Sequence, residues 1–146
     1  MILWATLITA AVGIAGIGGT ILSARLSISA ESKRIRDAEK RSIYAACLAA
    51  IPETLTATAT WKSSNQPERA AAEKDLVMAY KAMVTKVNEA ELIARPDIIQ
   101  IMREIITEFD EYIDSTKAGD TNHGKRIAAL QATLFKGMRA DLGEKD

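Results

Sequence analysis

The first 24 residues of the chain contain no charged side chain, and this run constrains the fold more than any other feature of the sequence. At a helical rise of about 1.5 Å per residue, it would reach about 36 Å, which exceeds the roughly 30 Å of a bilayer's hydrocarbon core. Lipid cannot satisfy backbone hydrogen-bonding groups, so a single segment crosses it only as a helix. The sequence therefore predicts a transmembrane anchor over residues 1–24.

A cleaved secretory signal is the main alternative for the same run. Such a signal begins with basic residues and has a short apolar core, whereas here no Lys or Arg precedes Arg25 and the apolar run is long. The small residues Ser23 and Ala24 are compatible with a cleavage site, so cleavage stays open as an alternative.

A basic segment follows the anchor and predicts its orientation. Residues 25–41 carry six basic and three acidic side chains. Basic residues beside a transmembrane helix stay in the cytoplasm, so we expect the N-terminus outside the plasma (inner) membrane and the rest of the chain in the cytoplasm. The basic side chains also suit contact with anionic lipid headgroups of the bilayer. They are Arg25, Lys33, Arg34, Arg36, Lys40 and Arg41.

Small residues form a stripe along one face of the predicted anchor. Ala11, Ala15, Gly19 and Ser23 follow one another at intervals of four residues. Such stripes let transmembrane helices approach closely, but small residues are also common in any transmembrane helix. Self-association of the anchor, and hence a homo-oligomer, is a hypothesis that the sequence leaves open.

Residues 42–146 predict a cytoplasmic bundle. Apolar residues recur at helical spacing in four segments with short connections, which favours an antiparallel bundle whose first helix continues the anchor. This region holds 13 basic and 16 acidic residues, and its aromatic residues sit at core spacing, so we expect no nucleic-acid partner. A single cysteine excludes an internal disulfide and agrees with a reducing cytosol. The predicted fold class is all-α.

The first bundle helix contains two ambiguous features. Pro52 either kinks this helix or ends it before a short restart. The run Thr54–Thr60 alternates like a strand, but the chain offers it no partner strand, so we predict helix there. Trp61 is either a core residue or an exposed contact.

Prolines and a glycine predict the remaining helix ends. Pro67 is expected at the first position of the second helix and Pro96 at the start of the third. The last helix is expected to begin at Thr121 or Lys125. Gly143 is expected to end it in the left-handed conformation.

No residue pattern predicts catalysis or a cofactor, and we expect the protein not to be an enzyme. Glu104, Glu108 and Glu111 share one face of the third helix, where carboxylates can bind a divalent metal, but a solvated acidic face is the favoured interpretation. His123, the single histidine, is expected in an exposed loop. Cys47 is expected to be a small core residue.

Two short motifs, together with the anchor, carry a resemblance. They are Lys40–Tyr44 and the C-terminal residues Met138, Arg139, Asp141, Leu142 and Gly143. With these features the chain resembles uncharacterised bacterial single-pass membrane proteins, of actinobacterial and prophage type, whose helical domain ends in Met/Ile-Arg-x-Asp-Leu-Gly. The resemblance implies no activity. From the charges of these residues we expect Arg139 and Asp141 to pair with the first helix, while Leu142 and Gly143 close the end of the bundle.

These observations predict a membrane-anchored helical interaction or scaffold protein that presents its bundle to an unidentified protein partner. A prophage- or defence-related role is a special case of this hypothesis. The alternative is a membrane-active, holin-like or toxin-like protein that acts through self-association of its anchor.

Overall fold

A computed structural model describes residues 22–115 and 121–144, and these residues form an all-α structure. It contains four helices, which we label α1 (Leu22–Ser63), α2 (Arg69–Glu91), α3 (Pro96–Asp114) and α4 (Thr121–Asp141). The two described ranges contain no strand, so the predicted fold class is confirmed. The chain divides into two units between Glu39 and Lys40, and residues 40–144 are called the bundle below.

The predicted anchor falls almost entirely on residues that the structure does not describe. Only Leu22–Ala24, in the first turn of α1, belong to both. Among the described helices, none has a stretch that is both long enough and apolar enough to cross a membrane.

Helix α1 runs without interruption through Pro52, so the predicted alternative of a stop at this proline is wrong. Pro52 is exposed, whereas nearby residues of α1 that face the core, such as Cys47 and Ile51, are fully buried. The threonine run after Pro52 is helical, as predicted. The buried hydroxyls of Thr54 and Thr58 donate to the carbonyls four residues earlier, at 2.8 Å each, so the helix satisfies them.

Prolines lie at or near the starts of α2 and α3, and the predicted start of α2 needs a small correction. α3 begins at Pro96 as predicted, after an extended Arg95. α2 begins at Arg69 rather than at Pro67. The amides of Glu68 and Arg69 both donate to the carbonyl of Asn65, and this turn keeps Pro67 outside the regular helix.

Pairs of contacts at both ends of a helix show the helix directions in the bundle. Tyr44 bonds Asp141, and a Cβ added at Gly124 would meet Leu55 at 3.9 Å, so α1 and α4 are antiparallel. The same crossed pattern joins α2 to α3 (Tyr80 with Asp110, Glu91 with Arg103) and α3 to α4 (Ile98 with Gly137, Glu108 with His123). The bundle is therefore antiparallel, with chain neighbours pointing in opposite directions.

One apolar core holds the four helices together, and every helix contributes buried side chains to it. α3 supplies the most regular stripe because its apolar residues recur every three or four positions. The buried members are Tyr44, Cys47, Ala50 and Ile51 of α1, Met83, Val87 and Ala90 of α2, Ile98, Met102, Ile105 and Phe109 of α3, and Ile127, Leu134 and Met138 of α4.

Alanine substitutions at two phenylalanines, one buried and one exposed, test this core. Phe109 is fully buried, whereas Phe135 on α4 is 49% exposed. We expect Phe109→Ala to lower the free energy of unfolding by about 3–5 kcal/mol, because it removes a large apolar side chain and leaves a cavity. The matched control Phe135→Ala should lose less than about 1 kcal/mol. Urea unfolding of the full chain in mild detergent, followed by far-ultraviolet circular dichroism, measures both. Equal losses would contradict the core described here.

Candidate functional site

Polar groups meet at one end of the bundle around Asp141, the last residue of α4. Its Oδ2 accepts a hydrogen bond of 2.6 Å from the Tyr44 hydroxyl and lies 2.6 Å from Nζ of Lys40. Its Oδ1 lies 3.9 Å from Nε of Arg95, in the turn before α3. We call Lys40, Tyr44, Arg95 and Asp141 the C-terminal clasp. The structure contains the expected pairing of Asp141 with the first helix, and the pairing of Arg139 with that helix stays a prediction.

The clasp keeps a carboxylate ionised although only 8% of its side chain is exposed. Burial works to raise the pKa of Asp141, but the hydrogen bonds from Lys40 and Tyr44 and the charges of Lys40 and Arg95 outweigh it and lower this pKa below its ordinary value. Burial, followed by the hydrogen bond to Asp141, raises the pKa of Tyr44 well above its usual range. The tyrosine therefore stays a donor and the carboxylate an acceptor.

The remaining motif residues form the helix end beside the clasp. Gly143 has φ 75°, so the predicted left-handed conformation is confirmed. The amide of Glu144 donates to the carbonyl of Arg139 at 3.0 Å, and that of Gly143 donates to the carbonyl three residues earlier, which together make a Schellman motif. Met138 is buried, Leu142 packs against the core, and the Arg139 side chain bonds Glu144 at 3.3 Å.

The six basic residues predicted to contact lipid differ in their surroundings. Lys40 is 22% exposed because it belongs to the clasp, and Arg41 is 59% exposed, 3.9 Å from Glu144. Contact with lipid stays a prediction for all six. Lys33, Arg34 and Arg36 are exposed on α1, and the side chain of Arg25 lies outside those that the structure describes.

The predicted packing stripe of the anchor also lies outside the described residues. Ala11, Ala15 and Gly19 precede them, and Ser23 is described only as part of the first turn of α1.

A second polar cluster lies at the opposite end of the bundle. Nδ1 of His123 lies 2.6 Å from Oε1 of Glu108, and the imidazole stacks on the ring of Tyr112 at a centroid distance of 5.8 Å. The side chains of Glu108 and His123 are only 13% and 15% exposed. The predictions of an exposed loop histidine and of a solvated Glu108 are therefore wrong. His123 lies in the first turn of α4 and faces α3, because the helix begins at Thr121.

Within the described ranges, this cluster brings together groups that could hold a metal ion. Glu111 lies one helical turn after Glu108, so both carboxylates reach the same side of α3. One oxygen from each and one ring nitrogen of His123 lie within 4.8 Å of one another. We call Glu108, Glu111 and His123 the His123 cluster. Glu104, one turn before Glu108, instead points to solvent and accepts a bond from Gln100 at 3.1 Å.

Lys62 and Ser115 also meet at this end of the bundle, and the sequence predicts no role for either. Nζ of Lys62 donates to the carbonyl of Ser115 at 2.6 Å and to its hydroxyl at 3.1 Å, which satisfies groups at the end of α3. Lys62 also lies over the Tyr112 ring, 5.1 Å from its centroid. A lysine in the last turn of α1 was the available signal, but its partner lies 53 residues away.

Cys47 and Trp61 are packing residues. Cys47 is fully buried, as predicted, and burial raises the pKa of its thiol to about 11, which disfavours the nucleophilic thiolate at neutral pH. Trp61 is half-buried, with Lys62 and Arg69 over its ring at 5.7 Å and 5.2 Å from the centroid. The sequence offered two alternatives for Trp61, a core residue or an exposed contact, and its burial lies between them.

No protein-family model, no curated protein and no solved structure matches the chain.

The clasp can be tested by removing its charge. We expect Asp141→Asn to lower the free energy of unfolding by about 1–3 kcal/mol, because Lys40 and Tyr44 lose a charged acceptor in a mostly buried place. Asp97→Asn is the matched control, since Asp97 also pairs with Arg95 but is 58% exposed. Its loss should be clearly smaller. Urea unfolding of the full chain gives both values, and a control as harmful as Asp141→Asn would contradict a special role of the clasp.

The clasp also predicts a pH dependence. The pKa of Asp141 is lowered by folding, so its contribution to stability is fully present above the ordinary carboxyl pKa of about 3.9 and is lost as the pH falls through the lowered native value. The stability difference between the native sequence and Asp141→Asn should therefore be constant near neutral pH and shrink in acid. Unfolding curves of the pair at a series of pH values measure this difference. A difference that grows in acid would contradict the assignment.

Proposed function

We propose that the protein is a membrane-anchored interaction protein that holds a folded helical bundle at the cytoplasmic face of the plasma membrane. The observation that carries the proposal is the contrast between two parts of one chain. Residues 1–24 contain no charged side chain, whereas residues 40–144 form a bundle with its own continuous core. A passive anchor raises the local concentration of the bundle at the membrane, and the bundle presents the binding surface.

The basic segment supports the proposed orientation. Residues 25–41 have a net charge of +3, and basic residues beside a transmembrane helix stay on the cytoplasmic side. Lys33, Arg34 and Arg36 are exposed, so their charges are accessible to anionic headgroups. Lys40 contributes least to such contact, because its ammonium is engaged with Asp141.

The outer surface of the bundle offers apolar side chains to a protein partner. Val77 and Met78 lie side by side on α2 and are 44% and 62% exposed. A separate groove between α1 and α2 is lined mainly by small residues, including Ala49, Thr56 and Ala72. Exposed methionine adapts to differently shaped partners, which suits an interaction surface.

The buried architecture favours a scaffold over a pore former. A protein that acts through association of its anchors has no need of a core to which four helices contribute, nor of a clasp that joins the first and last of them. The membrane-active alternative therefore enters as an outcome of the experiment below.

Three chains test the proposal: the native chain, one lacking residues 1–24, and one with an unrelated transmembrane helix in their place. We expect the native and exchanged chains in the carbonate-washed membrane fraction and the truncated chain in the soluble fraction. In inverted vesicles, added protease should digest the bundle, and in spheroplasts the bundle should be protected.

Membrane integrity separates the two hypotheses. Expression of the native and exchanged chains should leave a voltage-sensitive dye signal unchanged. Depolarisation by the native chain alone would favour the membrane-active alternative and overturn the scaffold proposal. Recovery of the native chain in the soluble fraction would overturn the anchor itself.

A further inference from the structure

We propose that the His123 cluster binds a divalent transition-metal ion, with zinc as the reference metal. This inference is independent of the proposed function, since the three residues belong to the bundle and need neither a membrane nor a partner. Nothing in the sequence pattern alone assigns the site, because two of its ligands are on α3 and the third is on α4.

The donor set selects the class of ion. An imidazole nitrogen with two carboxylates suits zinc and its first-row neighbours, whereas calcium and magnesium sites are built from oxygen alone. Three protein ligands would leave one position of a tetrahedral zinc ion for water.

The distances allow the three groups to converge. One ligand atom from each of the three residues lies within 4.8 Å of the others, so small side-chain movements bring them to the zinc–ligand distances of about 2.0–2.2 Å. Nδ1 of His123 and Oε1 of Glu108 are joined by a hydrogen bond of 2.6 Å, which the ion would replace as the imidazole proton is released to solvent.

The surroundings hold the ligands in place while leaving a route of entry. Stacking on Tyr112 fixes the plane of the His123 ring, and Glu108 and His123 are largely buried. Glu111 is exposed, and Glu108 also lines a cleft between α3 and α4 with Leu130. An ion can therefore reach the cluster from solvent.

Two cations near the cluster do not block it. Nη1 of Arg126 lies 3.6 Å from Oε1 of Glu108, but the side chain of Arg126 is 66% exposed and can turn into solvent when an ion binds. The ammonium of Lys62 is committed to the carbonyl and hydroxyl of Ser115. The ion would clamp the second half of α3 to the first turn of α4.

The test uses the full chain in mild detergent, stripped of metal with a chelator. Calorimetric titration with Zn²⁺ should give one ion per chain, and Co²⁺ should produce the visible absorption bands of a four-coordinate site. We expect Glu108→Gln, Glu111→Gln and His123→Gln each to weaken Zn²⁺ binding at least about tenfold. Glu104→Gln, an exposed carboxylate one turn away on the same helix, is the control and should change it less than about twofold.

Thermal unfolding supplies a second measurement. Saturating Zn²⁺ should raise the melting temperature of the native chain and of Glu104→Gln but not of His123→Gln. Glu111→Gln keeps the test valid if the His123 variant unfolds, because the Glu111 side chain is exposed and outside the core. Absence of binding would overturn the proposal. So would binding that Glu104→Gln and Glu111→Gln weaken equally, since that result identifies a diffuse acidic surface.

Discussion

The burial of one shared apolar core is the constraint on which the rest of this bundle depends. No single helix can hide its own apolar stripe from water, so each stripe is stable only against the other three. α3 shows this dependence most clearly, because each residue of its apolar stripe is at most 1% exposed. These residues are Ile98, Met102, Ile105 and Phe109. The C-terminal clasp and the His123 cluster lie at the two ends of this core. Their net contribution is modest, but a polar group left without a partner there would be destabilising.

Features with a local cause could be predicted from the sequence. The stripe of α3, its start at Pro96 and the left-handed Gly143 each follow from residues within a few positions of one another. The path of α1 through Pro52 could not be decided locally. A proline inside a helix costs about 3 kcal/mol, but stopping there would displace Ile51 and Thr54, which are buried against other helices. Only the packed structure shows which of these effects prevails.

The polar sites show the same limit more strongly. The resemblance draws attention to Asp141, but its partners on α1 lie about 100 residues earlier in the chain. Hydrophobic periodicity alone therefore does not predict which residues Asp141 contacts. The sequence predicts a loop at His123 because Gly124 and its polar neighbours disfavour helix. Once α4 begins at Thr121, the histidine turns toward α3. Which residues of two antiparallel helices lie opposite each other depends on their register, which the sequence does not reveal, and this register brings His123 to Glu108.

The separation between Tyr44 and Asp141 has a consequence for how the protein is made. The hydroxyl of Tyr44 finds its carboxylate acceptor 97 residues later in the chain. During translation, α1, α2 and α3 are synthesised before that acceptor exists. A chain that stops short of Asp141 leaves the Tyr44 hydroxyl and the Lys40 ammonium without this carboxylate. The polar contacts of α1 are therefore complete only when α4 has been synthesised.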